Sequence, residues 1–147
     1  MSLRDGTKKM SKSDVSEYSR IMLNDSVDQM IQKIKKAKTD SLPLPEDSKM
    51  ASTRPEAFNL LSIFAALQDI SINDVINQYS GKEFSLLKKD LADLVVAKLE
   101  PINKEINKLM DNTAYLNSVL VDGKNKATEN ADSVLTKVYE VIGFQKG

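Results

Sequence analysis

Leu87, Leu91, Val95, Leu99, Ile102, Ile106 and Leu109 recur every three or four residues, and no segment of the chain sustains the period-two alternation of a strand. That spacing places the seven side chains on one face of a single long helix, opening near Ser85. Pro101 falls inside it and predicts a kink, because proline removes one backbone hydrogen bond and crowds the preceding turn. Shorter repeats surround this one. Val27, Ile31 and Ile34 share a face of a helix over 26–37, with lysines in its last turn, where the helix dipole favours cations. Pro55 suits the first turn of a helix whose near-continuous apolar run, Phe58 to Leu67, predicts burial on several sides. Ser71 with Asp74 starts a brief helix that stops before Gly81, and Asp14 with Glu17 has the spacing of a capping box opening a helical turn. Two further helices are predicted, at 113–122 before Gly123 and at 126–142 before Gly143, the second with an apolar stripe of Ala131, Val134, Leu135, Val138, Val141 and Ile142. Residues 39–53, with Pro43 and Pro45, read as a loop. The fold class is all-α, an irregular helical bundle.

With 147 residues the chain can bury about two thirds of the surface that its unfolded form exposes. Four Tyr, four Phe and no Trp make the expected core aliphatic. The stretch 54–147 carries its own caps and stripes and is expected to fold without the residues before it. The chain has no Cys, which excludes disulfides and zinc ribbons, and no His, which removes the commonest general base and metal ligand. No metal ligands are expected. No apolar run approaches the roughly 18 residues of a membrane span and no signal-peptide core is present, so a cytoplasmic, non-membrane protein is expected.

The charges balance overall but not locally. Residues 1–38 hold nine Lys/Arg against five Asp/Glu, and residues 39–147 hold twelve against sixteen. The positive excess surrounds Gly6-Thr-Lys-Lys-Met-Ser-Lys-Ser-Asp14. Two lysines three apart bracket a hydroxyl in a loop that follows a glycine, taken here as a flexible point, and leads into a helical turn. Ammonium groups and exposed backbone N–H groups together suit a polyphosphate, and such a loop can close over a nucleotide. Cations aimed at a departing pyrophosphate stabilise the transition state more than the ground state. A solvated, lysine-rich terminus is the plain alternative on composition alone.

The flanks favour the chemical reading. Lys9-Met-Ser-Lys-Ser13 matches the second signature of class I aminoacyl-tRNA synthetases without a substitution. Met1 to Lys9 resembles the strand and loop leading into that signature in tryptophanyl-tRNA synthetases. Ile34-Lys-Lys-Ala-Lys-Thr-Asp-Ser41 is similar to the family's lysine-rich helix end, and Arg54-Pro-Glu-Ala-Phe-Asn-Leu-Leu-Ser-Ile63 to the opening of its anticodon-binding domain. Tyr79-Ser-Gly-Lys82, Leu87-Lys-Lys-Asp-Leu-Ala92 and Leu99-Glu-Pro-Ile102 resemble later blocks in order. Tyrosyl-tRNA synthetases carry a more altered signature and lack the Thr-Asp-Ser arrangement. One departure is Asp14-Val-Ser16, where the family usually has Asp-Pro-Asn.

The resemblance implies a division at residue 25. Residues 1–25 would be the end of a Rossmann-like catalytic domain with its phosphate-binding loop, and 26–147 a helical tRNA anticodon-binding domain. It assigns Lys9 and Lys12 to pyrophosphate stabilisation, and Ser11, Ser13 and the backbone at Met10 to phosphate or adenosine contact. It implies ATP with Mg2+, tryptophan and tRNA(Trp) as partners of a homodimeric parent enzyme, a tryptophan-tRNA ligase. The first class I signature and the tryptophan pocket are expected upstream of Met1, so the isolated chain is expected to be inactive. Thr39-Asp40-Ser41 has no mechanistic role in this reading. The rival functions are a tyrosyl or other class I synthetase fragment and a non-catalytic helical interaction module.

Overall fold

The structure, a computed structural model, describes residues 1–143. Among them there is no strand, so the all-α expectation holds. A short 3-10 turn at Glu17–Ser19 is followed by α1 (Val27–Lys35), α2 (Ser48–Ser52), α3 (Pro55–Gln68), α4 (Ile72–Tyr79), α5 (Phe84–Asp111) and α6 (Thr113–Ile142). No helix is long and apolar enough to cross a membrane among the described residues.

Local chemistry explains most boundaries. Ser26 caps α1 with a full capping box: its hydroxyl accepts from the Gln29 N–H at 3.3 Å, and the Gln29 side chain accepts from the Ser26 N–H at 2.8 Å. Pro55 occupies the first turn of α3, and the Ser71 hydroxyl accepts from the Asp74 N–H to start α4. Gly143, at φ +74°, ends α6 in the left-handed conformation that glycine adopts without strain.

Several expectations are corrected. The region 39–53 contains α2, capped by Asp47, whose carboxylate accepts from the Met50 N–H at 2.6 Å. Asp14 and Glu17 form no capping box; Asp14 accepts from the Ser16 N–H instead, and the turn begins after Ser16. The helices expected at 113–122 and 126–142 are one, because α6 runs through Gly123. A glycine inside a helix costs only about 1 kcal/mol relative to alanine, too little to end thirty residues of otherwise favourable sequence. α5 likewise runs through Pro101.

The chain divides into two compact units, Met1–Lys104 and the part from Glu105 onward. The core of the first is aliphatic, as composition requires. Met30 and Ile34 of α1, Leu60, Leu61 and Phe64 of α3, Val75, Ile76 and Tyr79 of α4, and Leu87, Leu91 and Val95 of α5 are all buried. Phe64 and Tyr79 meet edge to face at 5.3 Å, and the Tyr79 hydroxyl donates to Asp90 at 2.8 Å. Leu3, Ala37, Leu44 and Ala51 belong to the same core, so residues before 54 take part in the packing of α3, α4 and α5. One charged pair also lies inside. The Lys33 ammonium donates to Asp25, with both side chains under a tenth exposed, and Asp25 also accepts from the Met22 N–H at 2.7 Å. In the second unit no residue of α6 is buried, and the stripe Val134, Leu135, Val138, Val141 and Ile142 is exposed.

Candidate functional site: the loop at residues 6–14 and its anchors

The loop is fixed at both ends and open in the middle. At its entry, Asp5 gathers the next turn: its carboxylate accepts from the Thr7 hydroxyl at 2.6 Å and the Thr7 N–H at 3.1 Å, and pairs with the Lys8 ammonium at 3.2 Å. These contacts, Thr7's hydroxyl foremost, hold the Asp5 carboxyl down at about 2. Gly6 is not the flexible point expected. A Cβ there would lie 2.4 Å from the Pro55 carbonyl oxygen and 2.8 Å from the Glu56 nitrogen, so glycine lets the loop base sit against the start of α3. Met1 to Lys9 forms no strand. Its backbone is tied to loops and to the end of α1, the Ser2 N–H donating to Lys8 at 2.8 Å, the Leu3 N–H to Ser19 at 2.9 Å and the Lys38 N–H to Leu3 at 2.7 Å. A strand needs a paired neighbour, and none is present among the described residues.

At its exit, the Arg20 guanidinium donates to the Asp14 carbonyl at 3.0 Å and the Ser16 carbonyl at 3.4 Å. Between the anchors, Ser11 and Ser13 share a hydroxyl contact of 3.0 Å, and the Asp14 N–H closes a turn onto the Ser11 carbonyl at 3.4 Å. Lys9, Met10, Ser11, Lys12 and Ser13 are all exposed. Lys8 is ion-paired, whereas no carboxylate pairs with Lys9 or Lys12 among the described residues. The geometry thus sets Lys8 apart from Lys9 and Lys12. One braces the loop, and two are left as cations without a carboxylate partner beside the hydroxyls of Ser11 and Ser13, a set of donors suited to an oxyanion.

A second anchor was invisible in the sequence. Arg54, the residue before α3, forks onto Asp40, its Nε donating to Oδ2 at 2.9 Å and its Nη2 to Oδ1. The same guanidinium donates to the Pro43 carbonyl at 2.6 Å and the Leu42 carbonyl at 3.2 Å, and lies 5.7 Å above the Phe84 ring. Asp40 thereby acquires a role: it ties the segment after α1 to the helix against which Gly6 packs. Arg54's hydrogen bonds hold the Asp40 carboxyl below the usual aspartate range. Asp40→Asn should therefore cost about 1–2 kcal/mol at pH 7, a charge-assisted fork discounted for its solvent-facing side. A depressed folded-state pKa gives stability that is complete above the unfolded value, near 4, and lost as pH falls through the lower folded one. Urea unfolding of both forms should show the difference shrinking in acid; a difference independent of pH would contradict this account.

The described chain is thus all-helical, with a basic, hydroxyl-bearing loop pinned to its first helices. The family model described as tRNA synthetases class I (W and Y) matches residues 1–100, and the chain belongs to that family. Its similarity within the family is to tryptophan–tRNA ligases. The chain is 49% identical over 144 residues to the tryptophan–tRNA ligase of Rhizobium meliloti (strain 1021), covering 98% of this chain and 41% of that protein. It is 46% identical over 144 residues to that of Caulobacter vibrioides, covering 98% and 42%. The solved tryptophanyl-tRNA synthetase from Mycoplasma pneumoniae superposes with a TM-score of 0.70 at 30% identity, covering 99% of this chain and 45% of that one. The chain thus spans less than half the length of these relatives.

Proposed function

We propose that this chain is the C-terminal part of a tryptophan–tRNA ligase, contributing phosphate handling through its loop and tRNA recognition through its helices. The observation that carries the reading is the loop itself: both ends are pinned, yet Lys9 and Lys12 are exposed without a carboxylate partner. In the reaction, a carboxylate oxygen of tryptophan attacks the α-phosphorus of ATP. The bond from that phosphorus to the bridging oxygen breaks, and pyrophosphate leaves with the electron pair. Lys9 and Lys12 neutralise the charge that grows on it, while Ser11, Ser13 and the Met10 backbone hold phosphate or adenosine groups. No group of three His, Cys, Asp or Glu side chains could hold a metal among the described residues, so Mg2+ would come with the ATP phosphates. The tryptophanyl group then passes to the 3′ end of tRNA(Trp).

In this reading the functional boundary falls at residue 25. Residues 1–25 complete a Rossmann-like catalytic domain, and 26–147 form the anticodon-binding domain of a cytoplasmic homodimer. The packing boundary lies elsewhere, because Leu3 shares the core of α1, α3 and α5. That sharing would link loop position to the helical domain. The test is amino-acid-dependent exchange of pyrophosphate into ATP. The full-length polypeptide should exchange with tryptophan and not with tyrosine, and the 147-residue chain should not exchange at all. Exchange driven by tyrosine, or any exchange by the 147-residue chain, overturns the reading.

A further inference from the structure

A second concentration of positive charge, lined by residues outside the loop, lies where the end of α1 meets the first turns of α5. Lys35, Thr39, Phe84, Ser85, Lys88 and Lys89 line an open cavity of about 450 Å3. Lys88 reaches across it, its ammonium donating to the Ala37 carbonyl at 2.7 Å and the Lys35 carbonyl at 3.2 Å. Arg4 donates to the next carbonyl between them, that of Lys36, at 2.6 Å. Capping the negative end of α1 accounts for these two cations. It does not account for Lys35 and Lys89, which are exposed at the same cavity. Among the described residues no carboxylate pairs with Arg4, Lys35, Lys88 or Lys89. Burial, with repulsion from Arg4, pushes the Lys88 ammonium below the usual lysine range, which is the behaviour of a cation lacking a counter-ion. An ammonium has three N–H donors, and two of these go to carbonyls, which leaves Lys88 one more.

We propose that this cavity binds phosphate groups of an RNA backbone, with Lys35 and Lys89 as the engaging cations, Ser85 and Thr39 as hydroxyl donors and Lys88 as a fixed central charge. An open cavity lined by cations and hydroxyls, with no acid and no aromatic face free for stacking, suits the backbone of a polyanion rather than its bases. Choosing RNA among polyanions rests on the reading above of the chain as part of a tRNA-charging enzyme; the excess of cations does not.

Lys9 and Lys12 are not among the residues that line the cavity, so the site can be tested without catalysis. The 147-residue chain is titrated with a single-stranded oligouridylate of eight nucleotides bearing 5′-hydroxyl ends, and in a second arm with inorganic triphosphate. Lys35→Ala/Lys89→Ala should weaken oligonucleotide binding at least about fivefold. It should also flatten the dependence of log K on log salt by about 1.4, two single-strand phosphate contacts at about 0.7 each. Both side chains are exposed, so the double variant should keep the circular dichroism and unfolding midpoint of the parent. Triphosphate should compete poorly. Unchanged affinity and salt slope in the double variant overturn the proposal, and so does triphosphate displacing the oligonucleotide at equal phosphate concentration, which would make the ligand a free polyphosphate. Failure here leaves tryptophan-dependent exchange by the full-length enzyme untouched. Failure of that exchange leaves this binding measurement interpretable.

Discussion

Residues 54–147 on their own should show no cooperative unfolding transition, although α3 to α6 all lie within them. The deletion strips Leu3, Met30, Ile34, Ala37, Leu44 and Ala51 from the core. The four large side chains in that set are each worth about 1.5–3 kcal/mol of burial, so about 6–12 kcal/mol is lost. A whole domain is stable by only about 5–15 kcal/mol. Arg54 would also lose its partners Asp40, Leu42 and Pro43. The opposite truncation, residues 1–104, should unfold cooperatively near the midpoint of the parent. Every fully buried apolar side chain among the described residues lies at or before Val95, and α6 buries none. Circular dichroism in a urea series distinguishes the two. A sharp transition in 54–147 would show that the first 53 residues decorate the core and do not complete it.

What could be read in the sequence was what local chemistry decides. Ser71 and Asp74, Pro55, Gly81 and Gly143 each mark a helix end through their own backbone or side-chain preference, and each does so in the structure. The box at Ser26 and Gln29 had the right spacing and was a signal available but unused. Asp47 before Met50 would likewise have exposed α2 between the prolines and α3. Gly123 misled because glycine outside a cap carries a small penalty that length overrides. The remaining features are non-local. Asp40 and Arg54 stand fourteen positions apart and Gly6 meets Pro55 through space, so no periodicity or spacing rule points to either. Lys33 sits in a lysine-rich helix end and looks solvated, yet it is the buried partner of Asp25. Of the loop, the sequence singled out Lys9 and Lys12, but not that Lys8 beside them is held in an ion pair. That depends on Asp5 being able to hold Lys8 and out of reach of Lys9 and Lys12.

Lys12→Ala in the full-length enzyme should slow tryptophan activation by about 10²-fold or more, the loss typical of one preorganised electrostatic contact. That corresponds to about 2.7 kcal/mol of transition-state stabilisation. The loss should not arise from unfolding, because Lys12 is exposed and takes part in none of the ion pairs that brace the loop. Lys8 offers the contrast. Lys8→Ala releases Asp5 and disturbs the loop base while leaving both free cations in place, so it should act more weakly. Tryptophan binding should barely respond to Lys12→Ala, since in the proposed reading the charge that Lys12 meets develops on the departing pyrophosphate.

The most direct measurement is the single-turnover rate of tryptophanyl-adenylate formation by full-length wild-type and Lys12→Ala enzyme at saturating ATP, with the tryptophan dissociation constant measured alongside. The account predicts a rate lowered by about 10²-fold or more at an unchanged dissociation constant. A rate that survives while tryptophan affinity falls would contradict it, placing Lys12 in ground-state binding and removing the loop from the chemical step.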